Sequence, residues 1–221
     1  MKIDDNIIRL FVSQGFLIYF AYLLLPLKDP VKKHLKLGIA VSFLITLLNG
    51  LLIQFIGISF YIDFYFLTLT IPYMFLCGFL VKHSGGKLVF ALLSIQTFGN
   101  IAILNGLFAS YLYFKENTPY IDTLFRVFTY LLLIPVITKY VKPTYLKMVT
   151  VLNKGWWLLN STLILVYALA YLILFVPSPV FDRPVYFIHG YTGLCLSLGI
   201  FIIIIVLFYA IDSKAKIEMD K

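Results

Sequence analysis

An ionisable side chain inside an apolar helix is expensive, so where one occurs it is a candidate for function. Asp63 and Arg126 are the two that stand out, each about one turn into a long apolar run, Phe60–Val81 and Thr123–Val141. If both runs begin at the same surface, the two side chains lie at similar depth and could meet. The competing expectation is an interfacial Asp63 that touches water and an Arg126 satisfied by Asp122, four residues earlier on the same helix face. Gln54, near the end of the run Leu37–Gly57, and the pair Asp182–Arg183, in the proline-rich loop Pro177–His189, complete the candidate ligand-contacting set.

Other chemistries find little to work with. The three histidines, His34, His83 and His189, sit in separate loops, none paired at i, i+4 with another and none beside a carboxylate cluster. A zinc or di-iron site is not expected, and the HExxH pattern of a membrane metallohydrolase is absent. Cys77 and Cys195 both lie in apolar segments without a CxxC spacing and read as small buried hydrophobes. Cys77 lacks a histidine on its own helix face, which argues against a Cys/His peptidase. The last apolar run carries no Lys for a retinal Schiff base, and no run carries two acidic residues for a proton relay. No catalytic residue, metal or cofactor is therefore expected.

The elements that must position these residues follow from composition. Of 221 residues, 62% are hydrophobic and 13% charged, whereas a soluble domain is about half apolar and a quarter charged. The bilayer is the expected solvent, and the expected fold is all-α, a polytopic bundle. Seven runs are long enough to span, at about 20 residues each: Ile7–Pro26, Leu37–Gly57, Phe60–Val81, Leu88–Phe114, Thr123–Val141, Trp156–Val176 and Gly193–Ile211. Between them lie the basic loop Leu27–Lys36, a hairpin at Gly57–Ser59, the basic turn Lys82–Lys87 and the polar loop Lys115–Asp122. Lys142–Gly155 is amphipathic and could lie in the interface as a surface helix. Pro72 and Pro135 fall within the third and fifth runs, where a proline frees a carbonyl and kinks the helix.

In the fourth run, Gln96, Gly99, Asn100, Ala102, Gly106 and Ser110 share one arc of about 160° at 100° per residue. Small residues at Ala102, Gly106 and Ser110 let helices approach closely, and Gln96 and Asn100 can hydrogen-bond across the contact. This arc is the expected helix-packing face. With seven spans, 13 of the 18 Lys and Arg fall on one side and 5 on the other. The positive-inside rule then places the N-terminus outside and the C-terminus in the cytoplasm. The formal charge of +8 is spread over short clusters between apolar runs, so a nucleic-acid partner is not expected. A cleavable signal peptide is not expected, because Asp4 and Asp5 stand where a basic n-region would be. Residues 1–211 read as one transmembrane domain. After Gly199 no Gly or Pro interrupts the chain, so residues 212–221 read as the start of a cytoplasmic helix.

Short outer loops, the KHSGGKLVFALLS turn into the fourth run, the KPTYLKMVTVLNKGWW stretch and a last run flowing into a charged helix together resemble the membrane sensor region of accessory-gene-regulator-type peptide-sensing histidine kinases. The resemblance covers nearly the whole chain and rests on hydropathy and spacing rather than on a motif. It implies an extracellular peptide or other apolar ligand, relay through the last helix, quorum-sensing signal transduction in a bacterial plasma membrane, and a homodimer formed by the cytoplasmic continuation. In that family a phosphoacceptor histidine and a GHKL-fold ATPase follow. This chain has no histidine after His189, so no catalytic residue carries over. The peptide-maturing protease of the same systems fits less well, because His83 and Cys77 do not reproduce its order. The alternative is a small transporter or permease-like protein, with Pro72, Pro135, Asn49, Gln96, Asn100 and Asn105 lining a polar path. No internal repeat between the two halves supports it.

Overall fold

The computed structural model describes residues 5–114, 118–152 and 155–175. Among them the chain is helical nearly throughout: α1 (Asp5–Leu24), α2 (Val31–Ile56), α3 (Ile58–Tyr65), α4 (Ile71–Leu80), α5 (Gly86–Phe114), α6 (Pro119–Val136), α7 (Lys142–Val151) and α8 (Trp156–Phe175). Single π-helical turns, Phe66–Thr70 and Ile137–Val141, join α3 to α4 and α6 to α7. Two compact units divide the chain, Met1–Trp156 and Trp157–Lys221. Five helical segments are long and apolar enough to cross a membrane: Asp5–Leu24, Val31–Ile56, Ile58–Leu80, Gly86–Tyr111 and Pro119–Val151. They correspond to the first five expected runs. Trp156–Phe175 of α8 falls within the sixth. The seventh run, the loop carrying Asp182 and Arg183, and the charged helix at 212–221 lie outside the described residues.

In the first unit, α5 is the most enclosed of the five segments. It packs most extensively against α6, and α1 lies against α2, α5 and α6. The α3–α4 rod packs on α2, and α4 reaches back to α5. The exterior is unlike that of a water-soluble protein, and the apolar core holds a set of buried polar side chains. Arg9, Ser42, Thr46, Asn49, Asn100, Ser110, Asp122 and Arg126 are buried, whereas Phe43, Phe55, Leu67, Phe75, Phe79 and Leu132 face outward. An apolar exterior with polar side chains turned inward between the helices suits a helical bundle whose surroundings are hydrocarbon.

Several boundaries depart from the sequence expectation, each for an identifiable reason. The Lys-rich segment is not all loop: α2 starts at Val31, so Lys32, Lys33 and Lys36 occupy its first turns, because long basic side chains are good helix formers. Likewise the loop after α5 is shorter than Lys115–Asp122. Pro119 opens α6, as its fixed φ suits a first helical position, and this carries Asp122 into the helix. The stretch after Val141 is no separate surface helix. It continues the fifth segment, which runs unbroken for 33 residues, about 50 Å at 1.5 Å per residue. That exceeds a hydrocarbon core of about 30 Å, so a rod of this length crossing a bilayer would project beyond it at one end.

Both π turns begin six residues before a proline, Pro72 and Pro143. Proline cannot donate to the carbonyl four residues earlier and its ring crowds that carbonyl. A π turn, with its i→i+5 bonding, shifts the ladder past the missing donor. For Pro72 the carbonyl in question belongs to Thr68, and Asn49 of α2 donates its side-chain amide to it at 2.9 Å. A second bond from the same amide reaches Ile45 O at 2.9 Å. Tyr73, next to the proline, bonds Thr46 Oγ1 and donates to Ser42 O, both at 3.0 Å. The polar stripe Ser42–Thr46–Asn49 of α2 thus secures the interrupted rod.

Candidate functional site

The N-terminal ends of α1 and α6 and the C-terminal part of α5 meet at one end of the first unit. Asp122 is 0% exposed there, with Arg9 and Arg126 at 7% and 8%. Arg126 grips the carboxylate with a two-pronged contact, Nε to Oδ1 and Nη2 to Oδ2, each 2.7 Å. Arg9 of α1 reaches the same Oδ2 from the other side, at 3.0 Å, and donates from Nη1 to Asn6 Oδ1 at 3.2 Å. Two guanidinium groups therefore clasp one carboxylate, and the clasp ties α1 to α6. Arginine suits this role, since its planar fork matches both carboxylate oxygens and keeps its charge when buried.

Gly106 makes the room. A Cβ built on it would collide with Asp122 Oδ1, and would lie 2.6 Å from Asp122 O and 2.8 Å from Arg126 Cγ. One turn on, Ser110 Oγ accepts from the Thr118 N–H at 2.6 Å, which satisfies an otherwise unpaired donor just ahead of α6. Ala102 and Asn100 of the same helix are buried and Gln96 is half-buried. One turn deeper on α6, Tyr130 stacks on Phe16 with ring centroids 4.7 Å apart and meets Phe20 edge-on at 5.9 Å. This aromatic floor shields the ion cluster from below, so its charges interact through a low-dielectric medium.

The sequence-derived site residues are only partly assembled here. Arg126 is held by Asp122 at i−4, and no ion pair joins it to Asp63, which is exposed on α3. Gln54 is half-buried near the end of α2. That end lies beside the start of α1, since Gly50 faces Phe11 and Ile7. Gln54 and Asp63 thus flank the Gly57 hairpin, where a positive φ of 108° favours glycine, at the same end of the unit as the ion cluster. Asp182 and Arg183 lie outside the described residues. The competing expectation, Arg126 satisfied by Asp122, is the one the structure shows, whereas sequence reading missed Arg9 because it sits near a run edge, where charge is cheap. The available signal was the i, i+4 spacing of Asp122 and Arg126, which left one guanidinium, Arg9, to be accounted for.

The opposite end gathers the basic segments. Leu27 and Val81 form a bridge between the α1–α2 and α4–α5 loops, and Lys28 Nζ donates to Phe79 O at 2.8 Å, capping α4. Lys82 pairs with Asp29 at 2.9 Å. Lys87 Nζ donates to Val149 O at 2.9 Å, which caps α7 in the same way. His83 Nδ1 lies 2.8 Å from the Tyr145 hydroxyl. Burial, and secondarily the Lys87 charge, lowers the His83 pKa below its ordinary 6.5. Phe90 stacks over Tyr145 and meets Trp156 edge-on. Cys77 lines a cavity of about 20 Å³ with Tyr22, Ser42 and Tyr73, room for about one water. Among the described residues no three His, Cys, Asp or Glu side chains converge on a metal-sized site.

Comparison with known proteins gives no match: no protein-family model, curated protein or solved structure is significantly similar to this chain.

Proposed function

We propose that the chain is a seven-span membrane protein, N-terminus outside and C-terminus cytoplasmic, acting as the sensor domain of a signalling system of the histidine-kinase type. The apolar exterior of five helices long enough to span is the observation that carries the membrane reading. Orientation is supported by the clustering of Lys28, Lys82, Lys87 and the Lys142–Val151 helix at one end, the cytoplasmic one under the positive-inside rule. The Arg9–Asp122–Arg126 cluster then lies toward the outer leaflet, with Gln54 and Asp63 near it. In this reading an extracellular peptide or apolar ligand engages that end, and the last span carries the change to a cytoplasmic kinase region in a homodimer.

The transporter alternative is less well supported. Its polar path would need uncommitted side chains, whereas the Asn49 amide is spent on Ile45 O and Thr68 O and Asn105 donates to Thr129 Oγ1 at 3.4 Å. The sensor reading is tested by fusing a histidine-kinase catalytic region after Lys221 and measuring autophosphorylation in proteoliposomes. The peptide fraction of spent culture medium, applied to the outer face, should change the rate, and Asp63→Ala or Gln54→Ala should blunt the response. A rate indifferent to added peptides, together with uptake of labelled peptides into the vesicles, would favour the transporter.

A further inference from the structure

Lys32, Lys33 and Lys36 stand exposed in the first two turns of α2, and among the described residues nothing pairs with or accepts from their ammonium groups. The lysines near them are engaged. Lys28 donates to Gly78 O and Phe79 O, at 3.3 and 2.8 Å. Lys82 pairs with Asp29 at 2.9 Å. Asp29 is the carboxylate nearest to the three lysines in sequence, and Lys82 offsets its charge. The start of α2 therefore keeps a local excess of positive charge.

Below the lysines the same face turns apolar. At 100° per residue, Lys32, Lys33, Lys36, Phe43, Leu47 and Leu51 share one arc of about 100°, and all six are exposed. Ser42, Thr46 and Asn49 fall outside that arc and are spent on the α3–α4 rod. Depth follows from length. From Leu37 to Ile56 the helix rises about 30 Å, which matches a hydrocarbon core of about 30 Å. Val31–Lys36 then adds about 9 Å, which sets the three ammonium groups at the level of lipid phosphates while Phe43, Leu47 and Leu51 lie among acyl chains.

We propose that this face of α2 is a docking surface for anionic phospholipid, with the phosphate held by Lys32, Lys33 and Lys36 and an acyl chain along Phe43, Leu47 and Leu51. The inference rests on the membrane reading and not on which leaflet the basic end meets. Charge complementarity selects the head: uncompensated lysines beside a span attract anionic headgroups, each contributing on the order of a fivefold gain in affinity. The aligned apolar stripe selects a lipid over a soluble phosphate, because only a lipid fills both halves of the face. The bound lipid would fix the depth of α2 in the bilayer.

The test uses the full chain, purified in detergent, stripped of lipid and titrated with phosphatidylglycerol or phosphatidylcholine, with bound lipid counted by native mass spectrometry. Phosphatidylglycerol should be retained roughly tenfold more tightly or better, and the difference should shrink as salt is raised. Combining Lys32→Gln, Lys33→Gln and Lys36→Gln should bring the two lipids level, whereas Lys32→Arg, Lys33→Arg and Lys36→Arg together should keep the preference. Lys139→Gln, at an exposed lysine outside α2, should leave it unchanged. Equal retention of the two lipids, or a preference that survives the triple glutamine variant, would overturn the proposal. A loss from Lys139→Gln as large as from the triple variant would overturn it in favour of diffuse charge, and complete displacement of the lipid by inorganic phosphate would overturn it in favour of a soluble anion. Should the triple variant misfold, Lys36→Gln alone should weaken retention by about fivefold, and full retention by that folded variant would count equally against the surface. Recovery of the chain in the soluble fraction of lysed cells would overturn the membrane reading and this inference with it, whereas a membrane-bound chain without lipid preference would overturn this inference alone.

Discussion

Asp122→Asn removes the one negative charge from between Arg9 and Arg126. In the native protein the carboxylate accepts two hydrogen bonds of 2.7 Å from Arg126 and has the Arg9 guanidinium 3.0 Å away as an ion pair, and it is fully buried. An asparagine keeps the shape but presents only one oxygen, and turns an NH2 group toward a guanidinium. Both arginines, each under a tenth exposed, then lose the carboxylate they share. Breaking a buried pair by removing one partner costs about 3–5 kcal/mol. Against a total stability of about 5–15 kcal/mol, that is a large fraction. The assay is reversible unfolding in mixed micelles, titrated with sodium dodecyl sulfate and followed by far-ultraviolet circular dichroism. A companion variant replaces the whole cluster with apolar residues, Arg9→Met with Asp122→Leu and Arg126→Met. It should recover most of the loss, because full apolar replacement of a buried ion cluster is often neutral or stabilising. A loss below about 1 kcal/mol for Asp122→Asn would match an exposed pair and refute the burial on which the site is built.

Three further outcomes follow from the packing. Gly106→Ala should destabilise the protein strongly, since its Cβ meets the Asp122 carboxylate and backbone, whereas Gly15→Ala should be neutral or slightly stabilising; thermal melts of the two variants that coincide would contradict this. Asn49→Leu should cost about 1–3 kcal/mol by orphaning the Thr68 carbonyl. In a double-mutant unfolding cycle, Pro72→Ala should recover part of that loss by restoring a backbone donor, and strict additivity would count against the pairing. Because the folded His83 pKa is depressed, the unfolded chain binds its proton first as pH falls. Stability should therefore decline as pH drops through 6.5 and level off below the folded pKa. His83→Gln should flatten that segment of the unfolding-versus-pH curve.

The helical architecture was legible because 20-residue apolar runs between basic clusters leave few alternatives. Boundaries were less so. Lys32, Lys33 and Lys36 mark the edge of hydrocarbon, not the end of helix, and α2 begins before them. The prolines told of missing donors, but the π turn ahead of Pro72 is secured from a neighbouring helix, since it is Asn49 that takes the Thr68 carbonyl. At the charged cluster, local spacing gave Asp122 with Arg126, and Gly106 could be recognised as a point of close approach. That Gly106 approaches Asp122 itself, and that Arg9 completes the clasp from more than a hundred residues away, is a tertiary fact no local period encodes. Asp63 and Arg126 looked equivalent by depth alone, and packing separated them, leaving one exposed and the other enclosed.

Orientation is the premise on which the sensor reading stands, and substituted-cysteine accessibility tests it directly. With Cys77 and Cys195 replaced by Ser, single cysteines at Ser59 and Tyr120 report on the charged-cluster end, and single cysteines at Lys33 and Ser84 on the basic end. In intact cells a membrane-impermeant maleimide should label the first pair, and label the second pair only after permeabilisation. Labelling of Lys33→Cys and Ser84→Cys in intact cells, with Ser59→Cys and Tyr120→Cys protected, would contradict the orientation and remove the basis for an outward-facing ligand site.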